Sequence, residues 1–242
     1  MCRGTGGGAS EELAPEGLEP EEFDYLKPDL EIVHLPKGTV LYEAGDPIQS
    51  IYFPHNAVVG LINIMEDGQA AEVTSFGRKG LCGLLSALKS RHAFGRYKVQ
   101  VPGTASRIAL SKIHEAIRTR PKLQELILAY NEALLAQTFQ TVSCNAVHPV
   151  EARCCNWILS TRDRIDDDIL PLTHADWAEL MGVQRSTVSI VLRSLQTTGL
   201  ITQHRGGISI MDRAGLEEVA CECYGKIRRS FARLLPVPSS WA

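Results

Sequence analysis

Residues 172–212 read LTHADWAELMGVQRSTVSIVLRSLQTTGLITQHRGGISIMD. Thr173 suits the N-cap of a short helix, His174 to Met181, because its hydroxyl can accept from an orphan amide of the first turn. Gly182 follows where a left-handed residue closes a helix. A second helix runs from about Gln184 to Thr197, with Val188, Val191, Leu192 and Leu195 on one face, set to bury against Trp177, Ala178 and Met181. Gly199 ends it, and the remainder alternates and turns at Gly206-Gly207, a hairpin signal. Helix, glycine turn, helix and two-stranded wing spell a winged helix-turn-helix.

The same stretch is lopsided in charge. From Gln184 to Met211 it holds three arginines, Arg185, Arg193 and Arg205, and no Asp or Glu, within a chain of formal net charge -3. An acid-free positive segment in an anionic chain fits a module that reads double-stranded DNA, because phosphates line both walls of the groove. Arg185 can reach guanine O6 and N7, and Ser186 and Ser189 are short enough to let the helix sink. Thr173, His174, Gln184, Thr187 and Arg193 are placed to hold phosphate oxygens, and Arg205 to meet backbone or minor groove from the wing tip.

Upstream, short apolar runs alternate with turn residues. Strands are expected at Thr39–Tyr42, Ser50–Phe53, Val58–Ile64, Ala71–Ser75, Tyr97–Val101 and Ala105–Leu110, the spacing of an antiparallel roll. Ser111 is expected to cap a short helix, and Pro121 to open a long one without internal Gly or Pro through Val147. Leu123, Ile127, Tyr130, Leu134, Gln137 and Thr141 alternate by four and three along it, a seam suited to a homodimer; Leu126, Ala133 and Phe139 offer a second edge. His148-Pro149 breaks the direction, a further helix follows, Ile165–Pro171 is an exposed connector, and the tail from Asp212 is one amphipathic helix with a basic end. The fold class is α+β, in four parts: a disordered tail (1–24), a β-roll sensor (25–120), a dimerisation helix (121–147) and the winged domain (148–242).

Composition excludes several functions. The chain has 242 residues, 44% hydrophobic and 22% charged, with no apolar run near the ~18 residues of a membrane span. Its N-terminus lacks a secretion signal's apolar core, so a cytoplasmic location and no membrane partner are expected. Seven cysteines without a CxxC pair argue against a disulfide framework and a zinc site; no metal or cofactor is expected, though Cys144, Cys154 and Cys155 are candidates for thiol oxidation. No Ser-His-Asp order or phosphate loop stands out, so the chain is not expected to be an enzyme.

Leu30 to Met211 resembles the Crp/Fnr family of bacterial transcription regulators, most strongly from Thr173 to Ile201. The resemblance implies a cyclic-nucleotide-binding-like roll at LPKGTVLYEAGDPIQSIYFPHNAVVGLI, a homodimer on a near-palindromic operator, and RNA polymerase as a further partner. It places Arg185, Ser186 and Ile190 at the family's three base-reading positions; Ser186 replaces the usual acid and Ile190 a frequent arginine. The family's nucleotide pocket uses a Gly-Glu pair and an Arg-Ser or Arg-Thr pair. Here Gly83 precedes Leu84 and Arg96 precedes Tyr97, so cyclic AMP is not expected to bind. Leu81, Cys82, Gly83, Leu84, Arg96 and Tyr97 then mark a region for an unknown small-molecule effector. The rival reading is a ligand- or redox-sensing module whose winged domain binds protein.

Overall fold

The structure, a computed structural model, describes residues 18–78, 80–165 and 167–235. α1 (Pro20–Leu26) leads through a 3-10 turn into β1 (Glu31–Leu35), β2 (Val40–Tyr42), β3 (Ser50–Pro54), β4 (Val58–Ile64) and β5 (Ala70–Phe76). The short α2 (Leu84–Ala87) precedes β6 (Arg96–Val101), β7 (Gly103–Ala109), α3 (Leu110–Thr119), α4 (Pro121–Val147) and α5 (Val150–Arg162). β8 (Ile169–Leu170), α6 (His174–Met181), α7 (Arg185–Thr197), β9 (Ile201–His204), β10 (Gly207–Ile210), α8 (Arg213–Val219) and α9 (Cys223–Leu234) complete the chain.

Two antiparallel sheets, ordered β1-β7-β3 and β2-β6-β4-β5, form the roll. Ile51, Phe53, Val59, Phe76, Tyr97, Val99 and Ile108 fill it, and α3 and α4 close it. Part of the segment expected as a disordered tail is helical: α1 sends Leu26 into this core, and Glu22 accepts two hydrogen bonds from Arg120, each at 3.0 Å. Residues 1–17 of that segment lie outside the described residues. α3 starts one residue earlier than expected, at Leu110, and Ser111 does not cap it.

The long helix has its expected ends, but its faces are exchanged. Leu123, Ile127, Tyr130 and Leu134 join the roll's core, Gln137 donates to Thr74 at 2.7 Å, and half-buried Thr141 lines a cavity of ≈ 50 Å³ between β5, α4 and α5. The seam expected against a twin is therefore covered by the chain's own roll, whose apolar side needs a cover within the same chain. The uncovered face carries Leu128, Leu135, Phe139 and Val142, each at least half exposed (50–64%).

A second core gathers α5, α6, α7 and the wing around Trp177, Ile158, Leu159, Val188 and Leu192, and reaches the roll at Val58 and Val101. The expected connector contains a strand: β8 pairs with β10, making the wing three-stranded, β8-β10-β9. The expected single tail helix is two, because the chain turns through Ala220–Glu222 between α8 and α9. α9 packs on the long helix, with Phe231 edge-on to Tyr130 at 6.4 Å.

A buried polar seam joins roll and α5. Gln100 donates to Glu72, and burial raises that carboxyl to about 8 against the opposing pull of Gln100 and Arg164. Gly60 makes room: a Cβ there would overlap the Gln100 amide.

Candidate nucleic-acid interface

Thr173 caps α6, accepting from the Asp176 amide at 3.3 Å, while the Asp176 carboxylate accepts from the Thr173 amide at 2.7 Å. Burial opposes it, but Lys37 and the two Thr173 groups hold the Asp176 carboxyl below its ordinary range. Gly182 ends α6 in the left-handed region at φ 62, where a side chain is strained, and a Cβ there would sit 3.2 Å from Ala71 on β5. α7 then buries Val188, Val191, Leu192 and Leu195, the face read from the sequence.

The opposite face is open. Gln184, Arg185, Ser186, Ile190 and Arg193 are exposed, Thr187 and Ser189 half-buried. The guanidinium groups of Arg185, Arg193 and Arg205 have no hydrogen bond or ion pair among the described residues. No side chain caps α7, so its first amides keep free donors that favour an anion. Between the start of α7 and the wing lies a hollow of ≈ 250 Å³ lined by Thr173, Arg185, His204 and Gly206.

Three of the expected contact residues have internal work. His174 lies 2.9 Å from Ser189 Oγ through Nδ1 and 2.8 Å from Gln203 Oε1 through Nε2. Gln203 donates its amide to the Leu192 carbonyl at 3.3 Å, which turns its oxygen toward His174. His174 and Ser189 thus join α6, α7 and β9 instead of projecting toward a partner, and the Thr173 hydroxyl is spent on the cap. Gln203 was not read from the sequence; its place opposite His174 follows only from the wing's register.

The interface is also seated on the roll. Lys37 Nζ donates to Asp176 Oδ2 at 2.7 Å and to the Pro171 carbonyl at 2.6 Å, and Lys98 Nζ donates to Glu179 Oε2 at 2.7 Å.

The proposed effector region is packed. Leu81, Cys82, Leu84 and Tyr97 lie in the roll's core; Gly83 takes a left-handed turn at φ 94. Tyr97 stacks on Phe76 at 5.8 Å and pairs its hydroxyl with Ser86 at 2.9 Å. Arg96 donates to Glu43 at 2.8 Å on the outer side.

A second cluster escaped the sequence reading, which expected no metal-ligand set. Sγ of Cys144, Cys221 and Cys223 and a ring nitrogen of His148 all lie within 4.8 Å of one another. The signals were a Cys-x3-His at the end of α4 and a Cys-x-Cys more than 70 residues later, two halves that only the fold unites. Cys221 is held below the ordinary thiol range chiefly by the Cys144 thiol and the Cys223 groups.

Residues 152–219 match the model of the Crp-like helix-turn-helix domain, and residues 32–120 that of the cyclic nucleotide-binding domain. The chain belongs to the Crp/Fnr family. Among curated Crp/Fnr-type relatives, the nitrogen fixation regulation protein FixK of Bradyrhizobium diazoefficiens is 27% identical, covering 85% of this chain and 87% of that protein. The global nitrogen regulator of Synechococcus elongatus is 24% identical over 78% of this chain and 89% of its own. The fold is shared with FixK2 from Bradyrhizobium japonicum (TM-score 0.66, 15% identity, 79% of this chain and 98% of that one). It is shared too with the global regulator CLP of Xanthomonas campestris (TM-score 0.65, 16% identity, 80% and 100%). This Crp/Fnr chain is a DNA-binding transcription regulator. No helix among its described residues is long and apolar enough to cross a membrane.

Proposed function

We propose that the chain works in the cytoplasm as a homodimer on near-palindromic double-stranded DNA, alongside RNA polymerase, and answers to a signal other than cyclic AMP. The observation that carries this reading is the bare front of α7: Arg185, Ser186 and Ile190 stand exposed on a helix whose rear is locked into the core, with no acid beside them. Arg185 suits a guanine edge; Ile190 suits a thymine methyl. Gln184, Thr187 and the free amides of α7 suit flanking phosphates, with Arg193 and Arg205 beside them.

Dimerisation is supported by the uncovered face of α4. Leu128, Leu135, Phe139 and Val142 are spaced seven, four and three, so they form one stripe that a twin helix would cover. Independence from cyclic AMP is supported by the fully buried Tyr97 and by Arg96, whose charge is engaged by Glu43.

Selection of bound sequences from random duplexes, using the purified full chain, tests the reading. A near-palindromic motif is expected, with affinity falling steeply between two salt concentrations. Affinity that ignores salt and sequence would overturn it in favour of a winged domain that binds protein. Cyclic AMP is expected to change neither duplex affinity nor melting temperature.

A further inference from the structure

Two segments of the chain converge beside the break between α4 and α5. Cys144 occupies the last turn of α4, His148 follows four residues later at its end, and Cys221 and Cys223 bracket the bend between α8 and α9. Cys144, Cys221 and Cys223 are buried, at 4%, 8% and 0% exposure, in a small cluster apart from both main cores. Beside the packing of Ala152, polar groups face the sulfurs: Gln140 donates its amide to Cys223 at 3.0 Å, and the Asn156 amide points at Cys221 from 4.0 Å.

Two of the six spacings among these four atoms are close to those of a tetrahedron. Ligands at about 2.3 Å (sulfur) and about 2.0–2.1 Å (nitrogen) from one zinc ion stand about 3.8 Å apart sulfur to sulfur and about 3.6 Å sulfur to nitrogen. Cys144 and Cys221 are 3.4 Å apart, and Cys223 Sγ lies 3.5 Å from His148 Nδ1. The other ring nitrogen, His148 Nε2, meets the Glu222 carboxylate at 3.2 Å. That carboxylate can only accept, so it keeps the proton on Nε2 and turns the lone pair of Nδ1 toward the sulfurs, the arrangement that orients metal-bound histidines. A polynuclear iron–sulfur cluster spreads its thiolates over several irons and needs a wider cage than a set held within 4.8 Å.

We propose that Cys144, His148, Cys221 and Cys223 bind one zinc-class divalent ion, closed to solvent ligands, which pins the α8–α9 bend to the end of the long helix. The site stands whether or not the winged domain reads DNA as proposed. It also gives the cysteines a role beyond packing: the ion joins the hinge, from which the winged domain departs, to the last helices of that domain.

Cobalt(II) titration of the reduced full chain tests this. One equivalent per chain is expected to give the visible bands of a tetrahedral ion and an ultraviolet thiolate charge-transfer band, both displaced by zinc. Glu222→Gln changes only a half-exposed residue and is expected to weaken cobalt affinity about 10–100-fold. Cys223→Ser is expected to lose the charge-transfer intensity of one thiolate, while Cys82→Ala, a buried cysteine outside the cluster, leaves the spectrum unchanged. Circular dichroism reports whether each variant folds, and the wild-type titration decides the site if any does not. Absence of a stoichiometric tetrahedral spectrum in the reduced wild type, or a Cys144–Cys221 disulfide that persists under reduction and excludes the ion, overturns the proposal.

Discussion

Arg185 leads α7 with nothing to hold it back: no carboxylate and no carbonyl engages its guanidinium among the described residues. Arg185→Ala is therefore expected to cost about 1–3 kcal/mol of sequence-specific affinity and to leave the unfolding transition in place, read by anisotropy and by melting. Glu72 is the opposite kind of residue, buried and held up at about 8 from an ordinary 4.5. Its native form keeps a proton that the unfolded chain loses above about pH 4.5. The stability from that neutral carboxyl is whole below about pH 4.5 and is lost as pH rises through about 8. Glu72→Gln cannot ionise, so at about pH 9 it is expected to exceed the wild type by a few kcal/mol, at about 1.4 kcal/mol per pKa unit, with little difference at about pH 4. Urea denaturation at both pH values measures this, and parallel pH trends for the two proteins would show an ionised native Glu72.

Among the elements, α4 separates what was legible in the sequence from what was not. Its ends were readable because Pro121 starts it and no Gly or Pro interrupts it before His148. Its orientation was not, because it carries two apolar stripes, and spacing alone does not say which one the roll covers. The structure leaves Phe139 64% exposed. Phe139→Glu is expected to turn a dimer into a monomer in sedimentation equilibrium and to weaken duplex binding, without lowering the thermal stability of the monomer. β1 escaped notice because it is an edge strand whose residues are mostly exposed, so EIVHL lacks the alternation of a half-buried strand. α6 and α7 were legible nearly to the residue, since Thr173 and Gly182 punctuate them chemically as well as by pattern. The open face of α7 was legible in part: Arg185 and Ser186 are exposed on it, whereas Ser189 has a neighbour, His174, that only tertiary structure supplies.

Across the whole molecule, two lysines of the roll hold α6. Lys37 and Lys98 and their carboxylate partners are each about a quarter to a third exposed, so each pair is expected to add no more than about 1 kcal/mol. The Lys37→Ala/Lys98→Ala variant is expected to melt close to the wild type yet exchange amide hydrogens faster across residues 174–181. Unchanged protection there would show that apolar contact alone holds the winged domain. His174 adds a different constraint, since one imidazole bridges the two helices of the reading unit and its wing. A unit so braced swings as a solid body and does not flex finger by finger. In the proposed dimer, an incoming signal would then alter the gap between the two heads and leave each head's vocabulary alone. Selections with and without that signal should return the same half-site word at different separations.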